Sequence, residues 1–187
     1  MAFAHINAPI VPGESIGEIK LDTHISELFE WLNYSYSSRN DPEKLDKLSF
    51  ECYGHFTGPP VISYSCLEKA IFFQINVFTG RIFNISCHEG YRGKFLGRIG
   101  IGSTIGEAFK VDNSLKYYSP HNAIYSMNNP GISFEVGDLG DNDVFELFSD
   151  TKIEHILIGS KNKLLVEDKY FSETESENLG IKSRQVW

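Results

Sequence analysis

The alternation of apolar and polar residues near the start of the chain predicts a short strand followed by a helix. In SIGEIKL, residues 15–21, apolar side chains are separated by polar ones, as in a strand with one buried face. In residues 22–35, apolar side chains recur three and four positions apart, which is one face of an amphipathic helix. These side chains are Ile25, Leu28, Phe29 and Leu32. Asp22 or Thr23 is the expected N-cap.

Four runs rich in β-branched and aromatic residues follow, after a polar connector, and each predicts a strand. The runs are residues 48–56, 60–68, 69–78 and 81–88. Thr79 and Gly80, between the last two runs, predict a tight hairpin turn.

The strand-and-helix opening recurs 80 residues later. FLGRIGIGSTIGEAF, residues 95–109, matches residues 15–29 at five of fifteen positions. The identical pairs are Gly17 and Gly97, Ile19 and Ile99, Ile25 and Ile105, Glu27 and Glu107, and Phe29 and Phe109. Further strands are predicted in residues 115–127, 131–136 and 152–159, the last two being separated by a long acidic loop.

The order of elements is therefore a strand, a helix and several strands, used twice. This order predicts an α+β fold in which two related units, each an antiparallel sheet with one helix, pack as an internal duplication. We place the first unit at residues 1–91 and the second at 92–187, within one globule.

Composition and charge narrow the functional classes. The chain has 187 residues, 41% of them hydrophobic, which is enough for a core without disulfides or metals. Its net charge of −8 argues against a nucleic-acid partner, because such proteins present a basic surface to phosphate. The charge fits a well-solvated protein, and equally one whose partner is basic.

The cysteines and the N-terminal sequence indicate the cellular compartment of the protein. Cys52, Cys66 and Cys87 are odd in number and lie in strand-like runs, so we expect buried free thiols in a reducing environment. The chain opens without the features of a signal peptide, and no apolar run reaches the length of a membrane span. The expected location is the cytoplasm, without membrane contact.

Motifs for catalysis or cofactor binding are incomplete. Gly100, Gly102 and Gly106 approximate a phosphate-binding loop, but they fit neither the dinucleotide fingerprint nor the Walker loop. The sequence contains no HExxH or GxSxG motif, and the calcium-like run DNDVFE fails after its third residue. We therefore predict no enzyme activity, no catalytic residues, no cofactor and no metal.

The acidic stretch from residue 135 to 154 is the candidate partner-binding region, because it holds seven acidic residues against one lysine. A solvated hairpin loop is the alternative interpretation. Tyrosines nearby are favoured at interfaces. The predicted binding residues are Glu135, Asp138, Asp141, Asp143, Glu146, Tyr117, Tyr118 and Tyr125.

The segment VPGESIGEIKLDTHISEL, residues 11–28, recurs as GKFLGRIGIGSTIGEAF, residues 93–109. It resembles the opening P-G-x-S-I-G-x-I-x-L-x-x-x-I-x-E-L of small bacterial immunity proteins, which are encoded beside contact-dependent or type VI-secreted antibacterial toxins. The resemblance implies a protein that binds a cognate toxin domain and blocks its active site or its assembly. It assigns no contact residue.

The leading hypothesis is therefore a cytoplasmic immunity protein whose acidic surface occupies a basic cleft of its toxin. Two alternatives stay open. One is an enzyme or small-ligand-binding protein with its site between the two units, where pockets often form. The other is an adaptor or chaperone module that has no toxin partner.

Overall fold

Eleven short strands account for most of the regular structure in the described part of the chain. The computed structural model describes residues 5–30, 49–53, 60–118, 123–137 and 149–159, and at 49–53 and 118 it describes the backbone alone. The strands are β1 (Ile10–Val11), β2 (Ser15–Ile16), β3 (Ile19–Lys20), β4 (Ser49–Tyr53), β5 (Val61–Cys66), β6 (Ile71–Asn76), β7 (Arg81–Cys87), β8 (Leu115–Tyr118), β9 (Ala123–Ser126), β10 (Ile132–Val136) and β11 (Ile153–Gly159).

The strands form two antiparallel sheets. β1, β2 and β3 make a small sheet, and the other eight make a large sheet in the order β4-β5-β6-β7-β11-β10-β9-β8. The first four strands of that order come from the first half of the chain and the last four from the second half. The pairing of β7 with β11 joins the two sets, and we call it the seam.

The described residues include two helical elements beside the sheets. A 3-10 helix spans Ile25–Leu28, and residues 29 and 30 continue it as α-helix. An α-helix, α1, spans Ile105–Val111. The core packs one face of the large sheet against the small sheet and these helical elements, with Phe73, Phe95 and Phe134 completely buried.

The α+β prediction is wrong, because the described part of the chain is mostly β, with one α-helix of seven residues. Among the described residues, this repeated apolar spacing builds the 3-10 helix Ile25–Leu28 with residues 29 and 30 in the first copy and about two helical turns in the second, which is too little surface for a helical layer. The apolar residues of the strands instead unite in one large sheet. The division at residue 91 stays a prediction, although the seam makes the large sheet continuous across it.

Other predictions can be compared directly with the structure. The hairpin between β6 and β7 is confirmed, since these strands pair antiparallel up to Asn76 and Arg81, but its loop holds the four residues 77–80 and not Thr79 and Gly80 alone. Cys66 and Cys87 are buried and form no disulfide, as expected, while the side chain of Cys52 lies outside the described ones. The N-cap prediction is wrong.

The residue that caps the first helix is His24, whose ring accepts a hydrogen bond from the Ser26 N–H at 3.2 Å. The Glu27 carboxylate accepts in turn from the His24 N–H at 3.0 Å. Thr104 and Glu107 make the corresponding pair of bonds at the start of α1. The cap thus lies one or two residues later than the alternation of side chains suggested.

Candidate functional site

The large sheet has one face turned away from the core, and this face carries the polar side chains of the central strands. Side chains alternate between the two faces along a strand, and Ile85, Cys87, Phe134 and Ile156 are buried in the core. Their neighbours therefore point the other way. We call this other side the outer face. Its residues on the central strands are Phe72, Gln74, Asn84, Ser86, Tyr125, Ser133, Glu135, His155 and Leu157, together with His88 directly after β7.

A row of ionisable side chains crosses three adjacent strands of the outer face. Because Cys87 is paired with Ile156, the next residues, His88 and His155, face each other across the seam. Their ring centroids are 4.1 Å apart. On the other side of His155 lies Glu135, its register partner on β10, whose Oε2 is 3.2 Å from His155 Nδ1.

Two further side chains enclose His88. Its Nε2 lies 2.8 Å from Ser86 Oγ, a hydrogen bond to the side chain two residues earlier, in β7. The ring of Phe72, on β6, packs against it with a centroid distance of 4.5 Å. His88 is consequently half-buried and held in one orientation by three neighbours.

This environment lowers the pKa of His88 to about 4. Burial disfavours the charged imidazolium, and a positive charge on His155 opposes it further. His88 is therefore neutral near pH 7. A neutral imidazole both donates and accepts, so it can hydrogen-bond to the Ser86 hydroxyl in either tautomer.

The row is not arranged as a metal site. In the described residues no group of three or more His, Cys, Asp or Glu side chains is placed to hold a metal ion. The two imidazoles pack ring against ring, and their engaged nitrogens point to different partners, Ser86 and Glu135. The arrangement suits hydrogen bonding and charge recognition at a half-exposed surface.

The structure separates the residues predicted to bind a partner. Glu135 and Tyr125 share the outer face on the adjacent strands β10 and β9. Tyr117 instead packs against the hydrophobic core from the opposite face. It therefore lies on the opposite face of the sheet from the other two, and its role in binding stays a prediction. Asp138, Asp141, Asp143, Glu146 and the side chain of Tyr118 lie outside the described part of the chain.

The sequence reasoning missed Ser86, His88 and His155. A usable signal was present in NISCHE, where polar residues alternate with apolar ones up to His88. Pairing with His155 depends on the register between β7 and β11, which are more than 60 residues apart in the chain. Periodicity alone does not define that register.

A second polar cluster, around Asp112 after α1, has a structural role. Its carboxylate is 4% exposed and accepts hydrogen bonds from the Ser114 and Ser126 hydroxyls at 2.6 and 2.5 Å and from Asn129 Nδ2 at 3.1 Å. Burial would raise the pKa of Asp112, but these bonds outweigh it and lower the pKa. The carboxylate thus ties the end of α1 to the hairpin of β8 and β9.

Comparisons with known proteins extend the description of the fold but not of the site. Among the described helices, none has the length and apolar character needed to cross a membrane. Protein-family models and curated protein sequences give no match. The structure is similar to the crystal structure of the uncharacterised protein YfeY from Escherichia coli, with a TM-score of 0.52 and 14% sequence identity over 80% of this chain and 98% of that one. At this identity the likeness concerns the fold alone.

Proposed function

We propose that the chain is an immunity protein, and that it binds a cognate antibacterial toxin domain through the outer face of the large sheet. The observation that carries the proposal is the placement of Glu135 opposite His155 on the outer face, with Tyr125 on the same face of the next strand, diagonal to Glu135. Glu135 and His155 are 39% and 37% exposed, so a partner can reach them. In this proposal the protein acts in the cytoplasm, without enzymatic activity of its own.

Charge supports a basic partner. The chain carries a net charge of −8, and Glu135 begins the acidic stretch that runs to residue 154. A carboxylate and a tyrosine on the same face of two adjacent strands can together contact a lysine or arginine, because the carboxylate supplies the charge and the ring supplies apolar area. Basic residues are expected in the substrate clefts of toxins that act on nucleic acids.

Rigidity supports tight binding. The candidate contacts lie on strands that are paired on both sides within the large sheet, and the opposite face of the same strands is a buried core. A surface held in this way loses little conformational entropy on association, which favours inhibition by occlusion.

Production of the toxin in a sensitive host tests the proposal. The protein encoded in the reading frame adjoining the gene of this chain is expressed alone, with the wild-type chain, and with the Glu135→Lys variant. We expect the wild-type chain to restore growth and to co-elute with the toxin. We expect Glu135→Lys to lose most of this protection, because it places a positive charge opposite a basic partner.

The matched control is Glu14→Lys, which makes the same charge change on the exposed turn between β1 and β2, away from the outer face. Glu135→Gln is a milder variant that tests the charge if the lysine perturbs folding. Equal protection by wild type and by both position-135 variants, or no protection by any of them, rejects the proposal.

One observation favours a second function. The hydrogen bond of 2.8 Å between Ser86 Oγ and His88 Nε2 has the geometry of a nucleophile and its base, and it lies at the seam between the two halves of the sheet. A small hydrolytic site is therefore the alternative. The lowered pKa of His88 makes it a weak base at neutral pH, which weighs against this function. Hydrolysis of an activated ester that Ser86→Ala abolishes would establish it.

A further inference from the structure

The seam is the place where the two halves of the large sheet depend on each other. Among the described strands, β7 and β11 form the pairing that joins β4–β7 to β8–β11. Four register pairs make up this ladder: Asn84 with Gly159, Ile85 with Ile158, Ser86 with Leu157, and Cys87 with Ile156. Repulsion between β7 and β11 would therefore weaken the pairing that holds the outer face together as one surface.

The His88–His155 contact lies at one end of this ladder. The backbone N–H of His88 also donates to the carbonyl of Ala70 at 2.9 Å, so His88 is tied to the first half of the sheet. His155 lies within β11 and belongs to the second half. The two rings, 4.1 Å between centroids, thus bring one imidazole from each half into contact.

The groups around the pair leave little to neutralise a second positive charge. From β10 the pair is faced by Glu135, which contacts His155 and not His88. From β6 it is faced by the uncharged Phe72, and β7 supplies the hydroxyl of Ser86. Glu89, which follows His88, is exposed to solvent. One carboxylate can balance one imidazolium, but two imidazoliums in contact repel each other.

We propose that the His88–His155 pair makes the seam sensitive to acid, so that protonation of both rings weakens the β7–β11 pairing and with it the binding face. A positive charge on His155 is balanced by Glu135. A positive charge on both rings puts like charges on opposite strands of the seam. Only the consequence for partner binding rests on the proposed function, because the effect on the seam belongs to the chain itself.

The direction of the effect follows from linkage. The pKa of His88 is lower in the folded chain, at about 4, than its ordinary value of 6.5. Between these two pH values the unfolded chain binds the proton and the folded chain does not. The free energy of unfolding is therefore not reduced by His88 above pH 6.5, and it falls progressively as the pH falls from 6.5 toward 4.

The first test is an NMR titration of the histidine ring protons of the wild-type chain. His88 is expected to titrate near pH 4, well below its ordinary value of 6.5. In the same samples, protection of the backbone amides of β7 and β11, corrected for intrinsic exchange, is expected to fall in acid before that of β5 and β6. A normal titration of His88, or a uniform loss of protection over the sheet, overturns the proposal.

The second test uses His88→Gln, which keeps a hydrogen-bonding side chain beside Ser86 but cannot be protonated. The urea midpoint of this variant is expected to fall less than that of the wild type between pH 7 and pH 4.5. His5→Gln is the control and should behave like the wild type. Equal falls in wild type and His88→Gln reject the proposal. Neither test needs a partner. Failure to find a toxin would therefore count against the proposed function but not against the acid sensitivity of the seam.

Discussion

Asp22 and Gly102 occupy the same place in the two copies of the opening motif, and both have a left-handed backbone, with φ of 62° and 81°. Each donates its N–H to a strand of the large sheet at 2.8 Å, Asp22 to the carbonyl of Ile82 and Gly102 to that of Ile153. Both strands return a hydrogen bond to the next residue of the motif. The repeated sequence therefore docks in the same way at two places on one sheet.

This left-handed conformation gives the first prediction. A Cβ at Gly102 would meet no atom within 4 Å, so Gly102→Ala is expected to cost only the conformational penalty of about 1 kcal/mol. At Gly131, also with positive φ, a Cβ would lie 2.6 Å from the Cα of Gly13 and 2.8 Å from the carbonyl oxygen of Gly159. Gly131→Ala is therefore expected to cost about 3 kcal/mol or more, since backbone must move. Urea unfolding of both variants measures the difference, and similar losses would contradict the close approach of the small sheet to the large one.

The cap of α1 gives the second prediction. Thr104 Oγ1 accepts from the Glu107 N–H at 3.2 Å, and the Glu107 carboxylate accepts from the Thr104 N–H at 2.9 Å. Thr104→Ala removes the first bond and is expected to destabilise the protein by about 1 kcal/mol. Thr104→Ser keeps the hydroxyl and serves as the control, with a loss of less than about half that value. Thermal unfolding of the two variants decides whether the hydroxyl matters.

Much of this motif could be predicted from the sequence, because its signals are local. The glycines, the small polar residues and the glutamate three positions after the cap all act within a few residues of each other. The strands could also be predicted, since β-branched and aromatic residues are concentrated in them. The apolar stripe did not indicate the type of helix, because a 3-10 turn such as Ile25–Leu28 also places apolar residues against a sheet.

Only part of the candidate site could be predicted from the sequence, and the reason is different. Glu135 and Tyr125 attracted attention through charge and residue type, and their strands do lie side by side. The contact between His88 and His155 arises from long-range pairing of two strands, which no local pattern encodes. Tyr117 was chosen by type as well, but the alternation of side chains on β8 places it on the core side.

Asp112 gives the third prediction, which concerns pH. Because its folded pKa is lowered, the carboxylate contributes stability above its ordinary pKa of 3.8, and this contribution is lost as the pH falls below that value. Asp112→Asn cannot accept all of the donors and is expected to lose about 2 kcal/mol at pH 7. The difference between wild type and variant should shrink by pH 3 in chemical unfolding. A constant difference would mean that the charge of Asp112 contributes nothing.

Tyr91 gives the fourth prediction. Its hydroxyl, in a ring that is 4% exposed, donates to the carbonyl of Ala8 at 2.6 Å and so holds the N-terminal segment against residues 91–95. Tyr91→Phe keeps the packing and leaves that carbonyl unsatisfied, with an expected loss of about 1 kcal/mol. Faster amide exchange in residues 5–10 of the variant would accompany it. Unchanged exchange there would show that the hydrogen bond does not hold the segment.

The proposal that the outer face binds a basic partner is tested most directly by the affinity of the adjoining gene's product for the wild-type chain and for Glu135→Lys, measured by calorimetry at two salt concentrations. The proposal predicts that, at low salt, the wild type binds the partner at least about tenfold more tightly than Glu135→Lys does. It also predicts that the affinity of the variant depends less on the salt concentration. Equal affinity and equal salt dependence for the two chains would contradict it.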